Sequence, residues 1–236
     1  MQHTLKMKIR FWFAIGLLSL LAACRSQPEF INHTPPALTV SSEGIGGADN
    51  PLDTLACDEI HAPSNLLGGL NPSHPIAVCV VNLFSEQVTP ELEAEIEQGQ
   101  FIQAVGGLSR SYIRYVISRG GDLTLIKTEE EFRSIFAPID TAEEALSYVL
   151  ALRRLSAYYG LEFNPAYEYE TSTLEDTFVT SEADGYRLHL YAYQLFGCGP
   201  HWTSVVDVHV SFDGIITEIS REPIFRDPEE DNLCVD

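Results

Sequence analysis

The Asp213-Gly214 pair constrains this 236-residue chain more than any other feature. Asp-Gly between two alternating apolar stretches is a strong hairpin signal, since a tight loop needs residues that tolerate positive φ. Residues 202–212 and 215–221 alternate on either side of it. Residues 177–181 and 186–196 alternate before them, with turns at Ala183-Asp184-Gly185 and 197–201. A two-residue loop at Asp213-Gly214 sets Phe212 against Ile215, Val210 against Thr217 and Val208 against Ile219. Centring the earlier loop on Gly199 sets Leu188 beside Val210, Leu190 beside Val208 and Ala192 beside Val206. Both registers bury the same face, and a one-residue slip would turn every side chain over. A four-stranded antiparallel meander is the expectation.

Helices precede it. Thr141-Ala142-Glu143-Glu144 is a capping box, and Ala142, Ala145, Leu146, Val149, Leu152, Leu155 and Tyr159 recur at three- and four-residue spacing until Gly160. Thr128 caps a shorter acidic helix that Pro138 ends, and Thr89-Pro90-Glu91 opens another, to about Glu97. The apolar run 75–84 reads as a buried strand, and 111–118 with 122–127 as a strand pair across Gly120-Gly121, although 111–118 also fits a helix. Helices followed by a meander predict an α+β fold: helices packed on one face of a C-terminal four-stranded antiparallel sheet, with an N-terminal strand and helix portion.

The opposite face of the meander gathers polar residues. In the expected register His209 lies between His189 and Glu218, with Asp207 diagonal to both and opposite Tyr191. Opposite Cβ atoms lie about 5 Å apart across strands, so His189, His209, Glu218 and Asp207 are within reach of a divalent metal, or of a carboxylate-poised general base. The plainer alternative is a solvated face with small cross-strand stabilisation. Arg187, Tyr191 and Tyr193 form an amphipathic stripe suited to a protein partner, or one that sits under a helix or the N-terminal half. Gly107-Leu108-Ser109-Arg110-Ser111 falls one residue short of the G-x-S-x-G elbow. Asp227, Glu229 and Asp231 imitate three calcium-loop ligands without the glycine and closing glutamate that complete the loop. His201 reads as a turn cap.

Charge and cysteines bound the class. The chain carries 14 Lys+Arg against 34 Asp+Glu, and Lys6, Lys8 and Arg10 belong to an N-terminal leader. Such an acidic balance excludes nucleic acid as a partner, because phosphate binding needs clustered cations. The leader pairs that basic start with an apolar run over 11–21, short for a bilayer-spanning helix of about 20 residues. It ends in Leu21-Ala22-Ala23-Cys24, which resembles the lipobox of bacterial lipoproteins. That resemblance implies cleavage before Cys24, diacylglycerol on its sulfur and an acyl chain on its amino group. Arg25, in place of the aspartate linked to inner-membrane retention, favours the outer membrane in a two-membrane envelope. The organisation expected is a signal peptide 1–23, a Pro/Gly/Ser-rich tether 24–55 and one globular domain 56–236.

With Cys24 lipidated, Cys57, Cys79, Cys198 and Cys234 remain, an even set without zinc spacing that allows three disulfide connectivities. The meander brings the C-terminal tail back to the edge that carries Cys198, which predicts Cys198–Cys234 and, by elimination, Cys57–Cys79. Helices followed by a meander are similar in element order to the beta-lactamase inhibitory protein and small outer-membrane assembly lipoproteins, over residues 128–221 and without a shared motif. The function expected is a cell-envelope lipoprotein, held to the membrane by its lipid, whose acidic domain binds an envelope partner or supports structure without cofactor or catalysis. The alternative is a metal-dependent enzyme built on His189, His209 and Glu218.

Overall fold

The computed structural model describes residues 55–84 and 88–235, so the leader, Cys24 and the tether to residue 54 lie outside the described residues. Mixed α+β architecture with antiparallel sheets is what the chain adopts. Strands β1 (Glu59–His61) and β2 (Ile76–Asn82) begin a first sheet, and a 3₁₀ turn, Asn65–Gly69, lies between them. After α1 (Pro90–Glu97) come β3 (Gln103–Val105), β4 (Ser111–Arg119) and β5 (Asp122–Ile126). Along β4, one edge pairs with β2, while β3 and β5 share the other. Residues 111–118 are therefore strand, and Gly120 and Gly121 make the turn at φ 64° and 101°, values that suit glycine.

Each helix starts where the sequence places a cap. Thr89 Oγ1 accepts from the Leu92 N–H at 3.2 Å, with Pro90 at the first helical position. Thr128 opens α2 (Glu129–Phe136) through a full capping box with Glu131. Thr141 opens α3 (Ala142–Leu152) by accepting from the Glu144 N–H at 3.1 Å, while the Glu144 carboxylate accepts from the Thr141 N–H at 3.0 Å. The expected continuation of α3 to Gly160 does not occur. Arg153 turns extended, and Ser156 exchanges two backbone hydrogen bonds with Tyr191, filling a free stretch of strand edge. An unpaired strand edge outcompetes two more helical turns there.

The second sheet runs β6 (Glu168–Tyr169), β11 (Ile216–Arg226), β10 (Trp202–Ser211), β8 (Gly185–Tyr193) and β7 (Phe178–Ser181) in spatial order. The meander thus gains a fifth strand, β6, beside β11. One apolar cluster joins Ile117 and Ile126 of the first sheet, Phe132 of α2, Val149 of α3, and Leu188 and Val208 of the second sheet. A helix that is apolar nearly all round, as α3 is, needs such burial on several sides. Its buried hydroxyls are satisfied: Ser147 donates to the Leu66 carbonyl at 2.6 Å and accepts from the Gly69 N–H at 3.0 Å, and Tyr148 donates to the Gly214 carbonyl at 3.1 Å. A smaller cluster of Cys79, Val81, Leu92, Ile96, Tyr112 and Val116 ties α1 to the first sheet.

Register corrects the expectation in two places. The β10–β11 loop holds three residues, not two: the Ser211 N–H donates to the Ile215 carbonyl at 2.9 Å, and Gly214 sits at φ 82°. Val208 therefore opposes Glu218 and His209 opposes Thr217, until Ile219 bulges out and restores the expected pairing at Asp207–Ser220. Ile219, expected against Val208 in the core, is 49% exposed. On the other side β10 pairs with β8 two residues from the expected register, Leu188 opposing Val208 and Leu190 opposing Val206. An even slip preserves which face is buried. It changes every outward neighbour.

Both disulfides form as expected, Cys57–Cys79 and Cys198–Cys234. The second lies in a small ribbon of β9 (Gly197–Cys198) and β12 (Cys234–Val235). Among the described residues no helix is long and apolar enough to cross a membrane.

Candidate functional site

The outward face of β7, β8 and β10 carries the polar residues. His189 opposes Asp207 on β10 and Phe178 on β7, because the two-residue slip replaces Tyr191 with His189 at Asp207. His189 Nδ1 lies 2.9 Å from Asp207 Oδ1, and the Arg187 guanidinium donates to Asp207 Oδ2 at 2.5 Å. An ionised carboxylate only accepts, so Nδ1 carries the proton of a neutral ring and Nε2 the lone pair. The ring stacks on Phe178 with centroids 4.8 Å apart and planes within 5°, and Tyr191 meets it edge-on at 5.7 Å. Orientation and tautomer are both fixed. Nε2 is buried and has no hydrogen-bond partner.

These side chains line a recess of about 560 Å³ together with Thr171, Glu175, Thr180, Glu182 and Glu222. That volume is within the usual range of small-molecule sites. Segment 171–175 is pinned over it by the Tyr191 hydroxyl, which donates to the Glu175 carbonyl. Burial pushes the Asp207 carboxyl up, but hydrogen bonds and charge from Arg187 and His189 outweigh it and hold the group below the usual aspartate range. The Asp207 hydrogen bond raises Arg187 in turn. Burial, helped by Asp176 and Glu175, pushes the Tyr191 phenol up to about 12.

The constellation His189, His209 and Glu218 does not assemble. The shifted β11 register places Thr217 opposite His209, and Glu218 turns to Arg221, which donates to it at 3.1 and 2.9 Å and lowers its pKa. His209 instead meets two carboxylates of the β7–β8 turn, Asp184 Oδ1 at 3.2 Å and Glu182 Oε2 at 3.7 Å. Sequence reasoning named Asp184 only as a turn residue and missed Glu182; the even slip that moves Arg187 opposite His209 also swings this turn over it.

The stripe of Arg187, Tyr191 and Tyr193 is broken at its middle residue. Tyr191 is wholly buried and stacked on Tyr158, Arg187 is held by Asp207, and the Tyr193 hydroxyl donates to Glu230 at 2.6 Å. Only Tyr191 of the three is covered; Tyr193 and the Arg187 side chain stay 37% and 43% exposed. Asp227, Glu229 and Asp231 gather around a short 3₁₀ turn: Asp227 Oδ1 accepts from the Glu229 N–H at 3.0 Å, and Asp231 pairs with Arg226. His201 is buried between the Gln194 and Leu233 carbonyls, at 2.7 and 3.1 Å. Residues 107–111 lead into β4, not from a strand into a helix, so the nucleophile elbow has no place there. Comparison with protein-family models, curated proteins and solved structures finds no match for this chain.

Proposed function

We propose that the chain is a lipid-anchored cell-envelope protein whose acidic α+β domain binds a small ligand around His189 without catalysing a reaction. The anchoring half rests on Leu21-Ala22-Ala23-Cys24 behind a basic, then apolar, leader, and Arg25 favours the outer membrane where there are two. In this reading α2 and α3 close the apolar side of the meander, which leaves the opposite face and its recess to a ligand.

The observation that carries the binding half is His189 Nε2, a buried ring nitrogen without a partner. Leaving such a group unsatisfied costs about 1–3 kcal/mol, which a ligand donating a hydrogen bond there would recover. Glu175, Glu182, Asp207 and Glu222 outnumber Arg187 in the lining, so a neutral or cationic ligand with an O–H or N–H fits better than an anion. The Asp207–His189 pair is oriented as a general base would be. However, the Tyr191 hydroxyl is committed to Glu175 and the Thr171 hydroxyl donates to the Thr173 carbonyl at 3.0 Å, which favours binding over hydroxyl-based chemistry.

Two measurements test the reading. Cys24→Ala should leave the exported protein unprocessed or soluble on fractionation, because acyl chains supply membrane affinity at about 0.8 kcal/mol per buried CH₂. A variant still processed and membrane-bound would remove the anchor. Thermal-shift titration of the full chain with neutral sugars and small organic amines should yield a binder whose affinity falls at least about tenfold, or 1.4 kcal/mol, in His189→Ala. Binders indifferent to that substitution, or anions only, would remove the recess.

A further inference from the structure

We propose that Glu182, Asp184 and His209 bind one zinc-class divalent cation at the tip of the β7–β8 hairpin, apart from the His189 ligand. The three side chains offer one imidazole nitrogen and two carboxylate oxygens, all within 4.8 Å of one another. Bonds of about 2.0–2.2 Å from zinc to nitrogen or oxygen, at tetrahedral angles, separate ligand atoms by about 3.4 Å. His209 Nε2 stands 3.2 Å from Asp184 Oδ1 and 3.7 Å from Glu182 Oε2, on either side of that spacing. The imidazole faces both carboxylates without a hydrogen bond to either. Nε2 is buried and makes no hydrogen bond, although Asp184 Oδ1 stands 3.2 Å from it.

The ligands sit on fixed backbone. The Glu182 N–H donates to the Gly185 carbonyl at 2.9 Å, closing the turn, and the Asp184 carbonyl accepts from the Phe212 N–H at 3.1 Å, fastening it to the end of β10. Gly185 presses so near the Val210 carbonyl that a Cβ there would overlap it, so only glycine lets the turn lie this close. The neighbouring charges permit a cation. Arg187, directly across from His209, is neutralised by Asp207 at 2.5 Å, and Thr217 on the other side is uncharged. Two carboxylates and a neutral imidazole balance a divalent ion. One nitrogen with two oxygens suits zinc, whereas calcium takes six to eight oxygens. Three protein ligands would leave a coordination position open to water or to a group on a bound molecule. Glu182 also lines the His189 recess, so the two sites adjoin.

The test is isothermal titration of the full chain in detergent, stripped with EDTA, using zinc chloride with calcium chloride as the control. The expected result is one zinc per chain at micromolar or lower Kd and no calcium isotherm. Asp184→Asn, at a side chain 80% exposed and so without consequence for folding, should weaken zinc at least about tenfold, as should His209→Ala. His189→Ala should leave zinc affinity unchanged, which separates this site from the ligand recess. No zinc uptake at 1 mM, uptake indifferent to Asp184→Asn, or loss of zinc in His189→Ala in place of Asp184→Asn would each overturn the proposal.

Discussion

Asp207 holds two partners at once, His189 through Oδ1 and Arg187 through Oδ2, and its side chain is 16% exposed. Its pKa is lowered in the folded protein, so it binds fewer protons there than in the unfolded chain. The stability it contributes is therefore complete above the unfolded value, about 3.9. It is lost as pH falls from there through the depressed folded value. Asp207→Asn should cost about 1–3 kcal/mol at pH 7, in the range of charged hydrogen bonds left without an acceptor. That difference from the wild type should shrink toward pH 3. Urea unfolding of both proteins at the two pH values measures it, and other titrating groups, such as Glu95 and Glu218, cancel in the comparison. A difference independent of pH would mean that Asp207 acts by shape and not by charge. The same substitution frees the His189 ring to turn, so affinity for a recess ligand should fall with it.

At the scale of elements, what was legible in the sequence is what local chemistry decides. Thr89, Thr128 and Thr141 cap three helices because each hydroxyl accepts from an N–H two or three residues inside its own helix. The buried face of β8 and β10 was legible because alternation has a period of two, and the actual slip of two residues preserves it. Partners across the strands were not. They depend on loop size and on bulges, and here Asp213-Gly214 closes with Phe212 as a third loop residue while Ile219 bulges out. One residue of shift was enough to take Glu218 from His209 and give it Thr217. His189, Asp207 and His209 were thus identifiable as outward polar residues, whereas Glu182 and Asp184 became visible only once the turn was placed over β10. The end of α3 was hidden for a similar reason: helical spacing persists through Leu155 and Tyr159, but the open edge of β8 at Tyr191 lies far away in sequence.

For the whole molecule, the two disulfides fasten the ends of the described fold. Cys57–Cys79 spans 22 residues and ties the start of the domain to the central part of β2. Cys198–Cys234 spans 36 and holds a tail with few apolar anchors of its own. The tail's other ties are polar: the Gly199 N–H to the Leu233 carbonyl at 3.0 Å, His201 to the same carbonyl, Tyr193 to Glu230 and Arg226 to Asp231. Much of this network is charged, on a chain of formal net charge −20, so salt weakens it where it is exposed. Closing a loop of this length constrains the unfolded chain by about 3–4 kcal/mol on the entropic model. Cys198→Ala with Cys234→Ala removes two exposed residues without opening a cavity in either apolar cluster. The double variant should therefore lose up to about 3–4 kcal/mol, and hydrogen exchange in β9 and β12 should accelerate most. The recess draws no lining residue from the segment after Ile224, so its ligand affinity should stay within about twofold of wild type. Retained protection in β12 would show that the ribbon holds the tail without the bond, and loss of recess binding would show that the tail supports the outer face from a distance.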